Sequence, residues 1–127
     1  MIFLDTNYFL RYLLNDISPQ HLEAKNLFEK GAKGNVLLFT STIVFFEIFW
    51  VLTTSYKKSK KEIIDILNNL LALPFIEVEE RQILQDALSN YQNSNLEFED
   101  CYNIAYAKNN NMLSFATFDK KLKNFLR

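Results

Sequence analysis

Short apolar runs alternate along the chain with longer segments in which apolar residues recur at helical spacing. A strand that is buried on both faces of a sheet is apolar throughout, so the short runs predict strands. Alternation of such strands with helices is typical of an α/β fold whose parallel sheet is covered by helices on both faces. The predicted strands are residues 2–4, 36–39, 75–78 and 112–115.

The longer segments predict helices, and several of them carry start signals. Ser18 followed by Pro19 indicates an N-cap and a first helical position, and Ser59 with Glu62 forms a capping box. The segment that follows Ser41 is apolar almost all round, which predicts a buried helix. The predicted helices are residues 7–14, 18–31, 42–54, 60–73, 80–91, 98–108 and 119–127.

The composition supports one folded domain. A chain of 127 residues that is 49% hydrophobic and 15% aromatic fits a single compact domain over residues 1–127. Its one cysteine, Cys101, excludes an intrachain disulfide and a cysteine-built zinc site. A lone cysteine suits a reducing compartment, so we expect a cytoplasmic protein. Met1 is followed at once by a predicted strand, so no secretory signal is expected.

Two further features bear on the binding partners. The apolar stretch 36–56 is interrupted by the polar residues 40–42 and contains Glu47, so it predicts a soluble core and no membrane span. The formal net charge of −1 does not indicate a nucleic-acid binder. Bound divalent cations would nevertheless reverse the local charge of an acidic site.

Two acidic residues occupy positions where a carboxylate needs an explanation. Asp5 follows the first predicted strand, where ligands bind in open α/β sheets, and its side chain is expected in a crevice with little solvent. Capping of the following helix is an equally good interpretation of Asp5. Glu47 is the only charged residue of an apolar helix. It therefore requires protonation, an ion pair with a group such as Arg11, or a bound cation.

Asp100 and Asp119 each stand at the beginning of a predicted helix. Carboxylates are favoured at helix N-termini, so capping explains either residue taken alone. Asp100 is preferred over its neighbour Glu99 as the functional acid because it shares a helix face with Ile104, which is expected to pack inward. The joint placement of these acids with Asp5 is more informative than any single position.

Several carboxylates brought together in water-poor surroundings repel one another unless a cation is bound. Oxygen-only ligands suit Mg²⁺ or Mn²⁺ better than zinc. Such ions support in-line hydrolysis of a phosphodiester by activating water and stabilising the leaving oxygen. The predicted catalytic and metal-binding residues are Asp5, Glu47, Asp100 and Asp119, and the predicted accessory contacts to substrate phosphate are Asn7 and Thr117.

Other polar residues have simpler explanations. His21 is expected to be a solvated histidine on the exposed side of its helix. Cys101 has no obvious histidine partner and is expected to be a small buried apolar residue. For Thr117, a turn hydroxyl is the alternative to a substrate contact. The lysines at residues 57–61 more often belong to a solvated loop than to an RNA-binding surface, whereas those at residues 120–123 lie beside Asp119 and are better placed for phosphate contact.

Four segments of the chain, taken in order, resemble the PIN-domain nucleases. They are residues 1–14 (MIFLDTNYFLRYLL), residues 42–52 around Glu47, residues 98–105 around Asp100, and the Thr117-Phe118-Asp119 motif. The resemblance spans essentially the whole chain. It is strongest to the VapC-type toxins of bacterial and archaeal toxin–antitoxin pairs.

The resemblance implies a Mg²⁺- or Mn²⁺-dependent endoribonuclease in which the four acids bind metal, with Asn7 and Thr117 as accessory residues. It also implies a homodimer and a cognate antitoxin that blocks the active site. The implied fold is a PIN-like three-layer α/β/α arrangement with a central parallel sheet. The family usually continues beyond Asp119 into a last short strand that this sequence does not include, so four strands are expected, with five as the alternative.

Three other functions stay open. A housekeeping RNA-processing nuclease would use the same acids without an antitoxin. A receiver-like signalling module would bind Mg²⁺ and accept a phosphoryl group on an aspartate, but such a pocket typically pairs two acids near the first strand, and Asp5 has no acidic neighbour. A non-catalytic binding domain would use its acids only to cap helices.

Overall fold

The computed structural model describes residues 1–127, which divide into two compact units, Met1–Glu79 and Glu80–Arg127. The first unit contains β1 (Ile2–Phe3), α1 (Thr6–Leu14), α2 (Ser18–Ala32), β2 (Leu38–Thr40), α3 (Thr42–Thr54), α4 (Lys60–Leu71) and β3 (Ile76–Val78). The second unit contains α5 (Arg81–Gln92), α6 (Phe98–Asn109) and α7 (Lys120–Phe125).

The sheet of the first unit has three parallel strands in the order β1-β2-β3. Leu38 of β2 lies opposite Ile2 of β1 and Ile76 of β3. The prediction that the strands are buried on both faces is wrong, since Ile2, Phe3 and Glu77 are exposed, but Leu38 and Ile76 are each 1% exposed and all pairing in the sheet is parallel. The α/β class and the parallel sheet are therefore confirmed.

The predicted fourth strand is wrong, because residues 112–115 form no strand and the sheet has three strands, neither four nor five. The amide of Met112 donates to the carbonyl of Ala107 (3.0 Å), so the segment begins by closing the end of α6. Leu113 is fully exposed. The second unit contains only helices, so an apolar run within it has no strand of that unit for backbone pairing. The three-layer arrangement and the single domain stay predictions.

Aromatic side chains fill the core of the first unit. Phe9 of α1 is completely buried, and its ring centroid lies 5.6 Å from that of Phe28 in α2 and 6.0 Å from that of Phe45 in α3. Phe28 in turn contacts Phe75, which precedes β3, in an edge-to-face arrangement at 6.4 Å. Such pairs stabilise the fold beyond the burial of apolar area, and they fix the three helices against one another.

The prediction that α3 is buried on all sides is wrong. One side of the helix packs inward and carries its buried residues, Val44, Phe45, Ile48 and Leu52. On the other side, Ile43 is 70% exposed, Trp50 is 64% exposed, and Glu47 is exposed between them at helical spacing. An apolar sequence therefore does not bury the whole circumference of this helix.

Of the two predicted helix starts with a capping signal, one is confirmed and one is wrong. The capping box of α4 is confirmed, because the amide of Glu62 donates to the Ser59 hydroxyl (3.2 Å) and the amide of Ser59 donates to the Glu62 carboxylate (3.0 Å). The hydrogen bond from the Ser59 backbone lowers the pKa of Glu62. In α2, Ile17 is the N-cap in place of Ser18. None of the helices is both long and apolar enough to cross a membrane.

Candidate active site

A cavity of about 280 Å³ in the second unit brings two of the predicted acids together. Asp100, from α6, and Asp119, which precedes α7, both line it although they are distant along the chain. The remaining lining residues are Asn95, Leu96, Glu97, Lys120 and Lys121. The cavity therefore combines carboxylate oxygens with ammonium groups, as a site for a metal ion and a phosphate would.

Asp100 is held at the cavity by the burial of α6 behind it. The residue is in the first turn of the helix and is partly buried. The next residue, Cys101, and the residue one turn on, Ile104, are both completely buried, so this part of the helix is anchored. Glu99, the alternative acid, is exposed and does not line the cavity. The expected burial of Cys101 as a small apolar residue is confirmed.

Asp119 combines a structural role with its position at the cavity. It is the N-cap of α7, and its Oδ1 accepts hydrogen bonds from the amides of Lys121 (2.8 Å) and Leu122 (3.3 Å). These bonds fix the carboxylate and leave Oδ2 for another partner. The Thr117 hydroxyl accepts a hydrogen bond from the Asp119 amide (3.1 Å), so it organises the turn that presents the acid.

Two polar residues of the cavity, Asn95 and Glu97, are not among the site residues that the sequence predicts. Glu97 is the N-cap of α6, but its side chain makes no capping hydrogen bond. Its carboxylate is therefore not used by the helix that it precedes. Asn95 belongs to the polar loop before the helix. The sequence does place an acid, Glu97, just before the predicted helix. Capping is the usual interpretation of such an acid, and the sequence does not show whether its side chain bonds to the helix.

The other two predicted acids lie in the first unit. Asp5 is the N-cap of α1, and its Oδ1 accepts a hydrogen bond from the Thr6 amide (2.8 Å). Its side chain is exposed, which corrects the expectation of a water-poor crevice around it. Glu47 is likewise exposed, so the desolvation argument for a bound cation at this residue does not hold. Asn7, the predicted accessory residue, is exposed in the first turn of α1.

The donor set of the cavity fits a hard divalent cation. No group of three or more His, Cys, Asp or Glu side chains is close enough to hold a metal ion by itself. Mg²⁺ commonly uses only one or two carboxylates and completes its coordination with water and substrate oxygens. Asp100 and Asp119 place two carboxylates at one cavity, the number that Mg²⁺ commonly uses, and Glu97 and Asn95 line the same cavity.

Two polar residues outside the cavity are held by neighbours. Burial, together with a hydrogen bond to the Glu80 carboxylate (2.7 Å), raises the pKa of Tyr102 to about 12. Tyr102 therefore remains a protonated donor over the range in which most proteins function. His21, in the first unit, is not the solvated residue that the sequence predicts. Its Nδ1 lies 2.9 Å from the carbonyl oxygen of Arg11, and the residue is partly buried.

Comparison with known proteins places the chain in a family. The PIN domain model matches residues 2–126. No curated protein matches the chain. PIN domains are generally nucleases and generally use divalent metal ions. The match covers nearly all of the sequence, and the chain therefore belongs to the PIN-domain family of nucleases.

Proposed function

We propose that this PIN-domain protein is a metal-dependent endoribonuclease that hydrolyses RNA phosphodiester bonds. One observation supports this proposal most directly: Asp100 and Asp119 line one cavity together with Lys120 and Lys121. Carboxylate oxygens are the preferred ligands of Mg²⁺ and Mn²⁺, and lysine ammonium groups bind phosphate oxygens. The cavity thus offers both halves of a phosphodiester-binding centre.

Each group of the cavity has a distinct task in this proposal. Asp100 and Asp119 would hold Mg²⁺ or Mn²⁺, which when bound lowers the pKa of water and stabilises negative charge on a leaving oxygen. Lys120 and Lys121 bind the non-bridging oxygens of the phosphate and orient it. Water adds to phosphorus, the bond to the leaving oxygen breaks, and that oxygen takes up a proton. The Asp119 capping bonds keep its carboxylate in place throughout.

Asp5 and Glu47 complete the proposed set of metal-binding acids, on the strength of the family resemblance. Both carboxylates are exposed, so neither is part of the core of the first unit. Asn7 and Thr117 are proposed as accessory contacts to the substrate, and Thr117 also supports the turn before Asp119. Each acid is testable by its own amide variant.

The biological role that we propose is the toxin of a toxin–antitoxin pair, acting as a cytoplasmic homodimer that a cognate antitoxin inhibits. The similarity of residues 1–14 and of the later acidic motifs to VapC-type toxins supports this role. A housekeeping RNA-processing enzyme would share the same chemistry. The gene immediately upstream distinguishes the two, because a small DNA-binding protein encoded there favours the toxin.

We expect the purified protein to cleave total RNA with added Mg²⁺ or Mn²⁺, to lose cleavage with excess EDTA, and to regain it when metal is restored. The physical reason is that the carboxylates alone do not activate water or neutralise the leaving oxygen. Gel electrophoresis of 5′-labelled RNA measures the products. Cleavage that persists unchanged in EDTA would contradict the metal requirement, and acyl-phosphate formation from a small phosphodonor would favour the receiver-like alternative.

A further inference from the structure

A second cavity, in the first unit, lies between α1 and the first half of α2 and has a volume of about 290 Å³. It is lined by Asn7, Tyr8, Arg11, Gln20, Glu23 and Ala24. This volume is near the lower limit of about 300 Å³ for small-molecule pockets, so it suits one flat ring system better than a whole nucleotide. The cavity therefore fits a base whose sugar and phosphate stay outside.

The shape of this cavity follows from a small residue at its floor. Ala24 is buried (1% exposed) and leaves room between the helices. Tyr8 and Arg11 are partly buried and form the walls, whereas Gln20 and Glu23 are exposed at the rim. A floor without a large side chain, an aromatic wall and polar groups at the edge are the usual components of a site for an unstacked nucleobase.

Hydrogen bonds hold the two charged groups of the cavity in place. The Tyr8 hydroxyl donates to Glu23 Oε2 across the two helices (2.5 Å), and this bond raises the pKa of Tyr8. Glu23 Oε1 and the second lone pair of Oε2 remain as acceptors for a ligand. The Arg11 Nη1 group donates to Asp16 Oδ1 (2.5 Å), and the Tyr56 hydroxyl donates to Asp16 Oδ2 (2.7 Å). Arg11 is thereby positioned at the wall of the cavity, and the guanidinium carries five N–H donors, more than its bonds to Asp16 and Tyr56 use.

We propose that this cavity is a guanine-binding pocket that selects a guanosine of the RNA substrate. Guanine alone among the four bases has two adjacent donors on its Watson–Crick edge, N1–H and the N2 amino group, which match a carboxylate such as that of Glu23. Its O6 and N7 atoms are acceptors, and arginine is the side chain that most often donates to them. The carboxamides of Asn7 and Gln20 supply further contacts at the rim.

Adenine, cytosine and uracil fit the charged groups less well. Adenine has no donor at N1 and presents its amino group where guanine has O6, so it would place donors toward Arg11 and an acceptor toward Glu23. Cytosine has one amino donor, and uracil one ring N–H between two carbonyls. The pocket therefore discriminates by charge complementarity. This selection rests on the proposed ribonuclease function, but the recognition of the base does not.

Binding is tested without catalysis by titrating ¹⁵N-labelled protein in EDTA with GMP, IMP or AMP and following amide shifts. We expect GMP to shift the amides of residues 7–11 and 20–24, and to bind about tenfold more tightly than AMP. IMP, which lacks the N2 amino group, is expected to fall between them. Equal binding of GMP and AMP, or shifts that avoid these residues, would overturn the proposal.

Glu23→Gln supplies the matched test because it keeps the shape of the side chain while removing its charge. We expect GMP affinity to fall about tenfold in this variant with AMP affinity unchanged. Glu29→Gln is the control, since Glu29 is exposed on the same helix and does not line the cavity. A loss of GMP affinity that is equal in both variants would contradict a role for Glu23.

A further comparison separates RNA from free nucleotide as the source of the guanine. Non-cleavable 2′-O-methyl pentanucleotides with a central guanosine or adenosine are titrated beside GMP. Tighter binding of the guanosine pentanucleotide than of GMP supports RNA selection, and tighter binding of GMP overturns it. Guanine binding by a protein that cleaves no RNA would refute the ribonuclease proposal alone, and intact cleavage without guanine binding would refute the pocket alone.

Discussion

Replacement of Asp100 by asparagine is expected to reduce RNA cleavage at least about a hundredfold, because a metal ligand that stabilises transition-state charge contributes several kcal/mol to catalysis. The side chain is partly buried at the cavity of the second unit, and Cys101 and Ile104 behind it are completely buried. An amide has the same shape but carries no charge for a cation. Initial rates on a labelled RNA with saturating Mg²⁺ measure the effect.

The fold is expected to tolerate this change. A carboxylate in the first turn of a helix interacts favourably with the macrodipole, and its loss costs about 0.3–1 kcal/mol. Urea unfolding of the variant should therefore differ from the parent protein by no more than that amount. Glu99→Gln is the matched control, since Glu99 is adjacent, exposed and not at the cavity. Full activity of Asp100→Asn, or an equal loss in Glu99→Gln, would contradict the assignment.

Phe45→Ala is expected to lower the free energy of unfolding by about 3–5 kcal/mol. Phe45 is 1% exposed, and its ring packs against that of Phe9 at 6.0 Å. Truncation removes both the apolar burial and the aromatic contact that joins α3 to α1. Because the whole stability of a domain is about 5–15 kcal/mol, the variant should lose a large part of it.

Ile43→Ala on the same helix is the control for this prediction. Ile43 is 70% exposed, so its truncation should change the free energy of unfolding by less than about 0.5 kcal/mol. Chemical unfolding followed by the fluorescence of Trp50, the only tryptophan, measures both variants. Similar losses of stability in the two proteins would show that the two faces of α3 are not distinguished as the structure describes.

Much of the fold follows directly from the sequence. The predicted strands at residues 36–39 and 75–78 lie within two residues of β2 and β3, because clusters of β-branched and aromatic residues favour strands even though Glu77 of β3 is exposed. The Ser59–Glu62 capping box fixed the start of α4 because both of its hydrogen bonds are local. Local signals of this kind are readable without knowledge of tertiary contacts.

Features that depend on a partner segment were not readable. Residues 112–115 have the composition of a strand, but a strand also needs backbone groups to pair with, and the pattern does not identify them. The sequence of α3 is apolar throughout, so it does not reveal that Ile43 and Trp50 face outward. Glu47 is exposed because it lies on the same outward side of α3.

The candidate site also combines residues that the sequence predicts with residues that only the structure reveals. The sequence predicts Asp100 and Asp119 as functional acids from the joint placement of the acids, and both line the cavity. Glu97 was overlooked because an acid before a helix is normally a cap, and only the geometry shows that its side chain makes no such bond. The hollow above Ala24 was equally invisible, since the spacing of two helices is set by their packing.

The proposed binding of a divalent cation by Asp100 and Asp119 is tested most directly by Mn²⁺ titration followed by electron paramagnetic resonance. We predict that the protein binds Mn²⁺ at or below millimolar concentration, and that Asp100→Asn and Asp119→Asn each weaken binding at least about tenfold. Asparagine also caps helices well, so Asp119→Asn should preserve α7. Absence of Mn²⁺ binding in the parent protein, or undiminished binding in both variants, would contradict the claim.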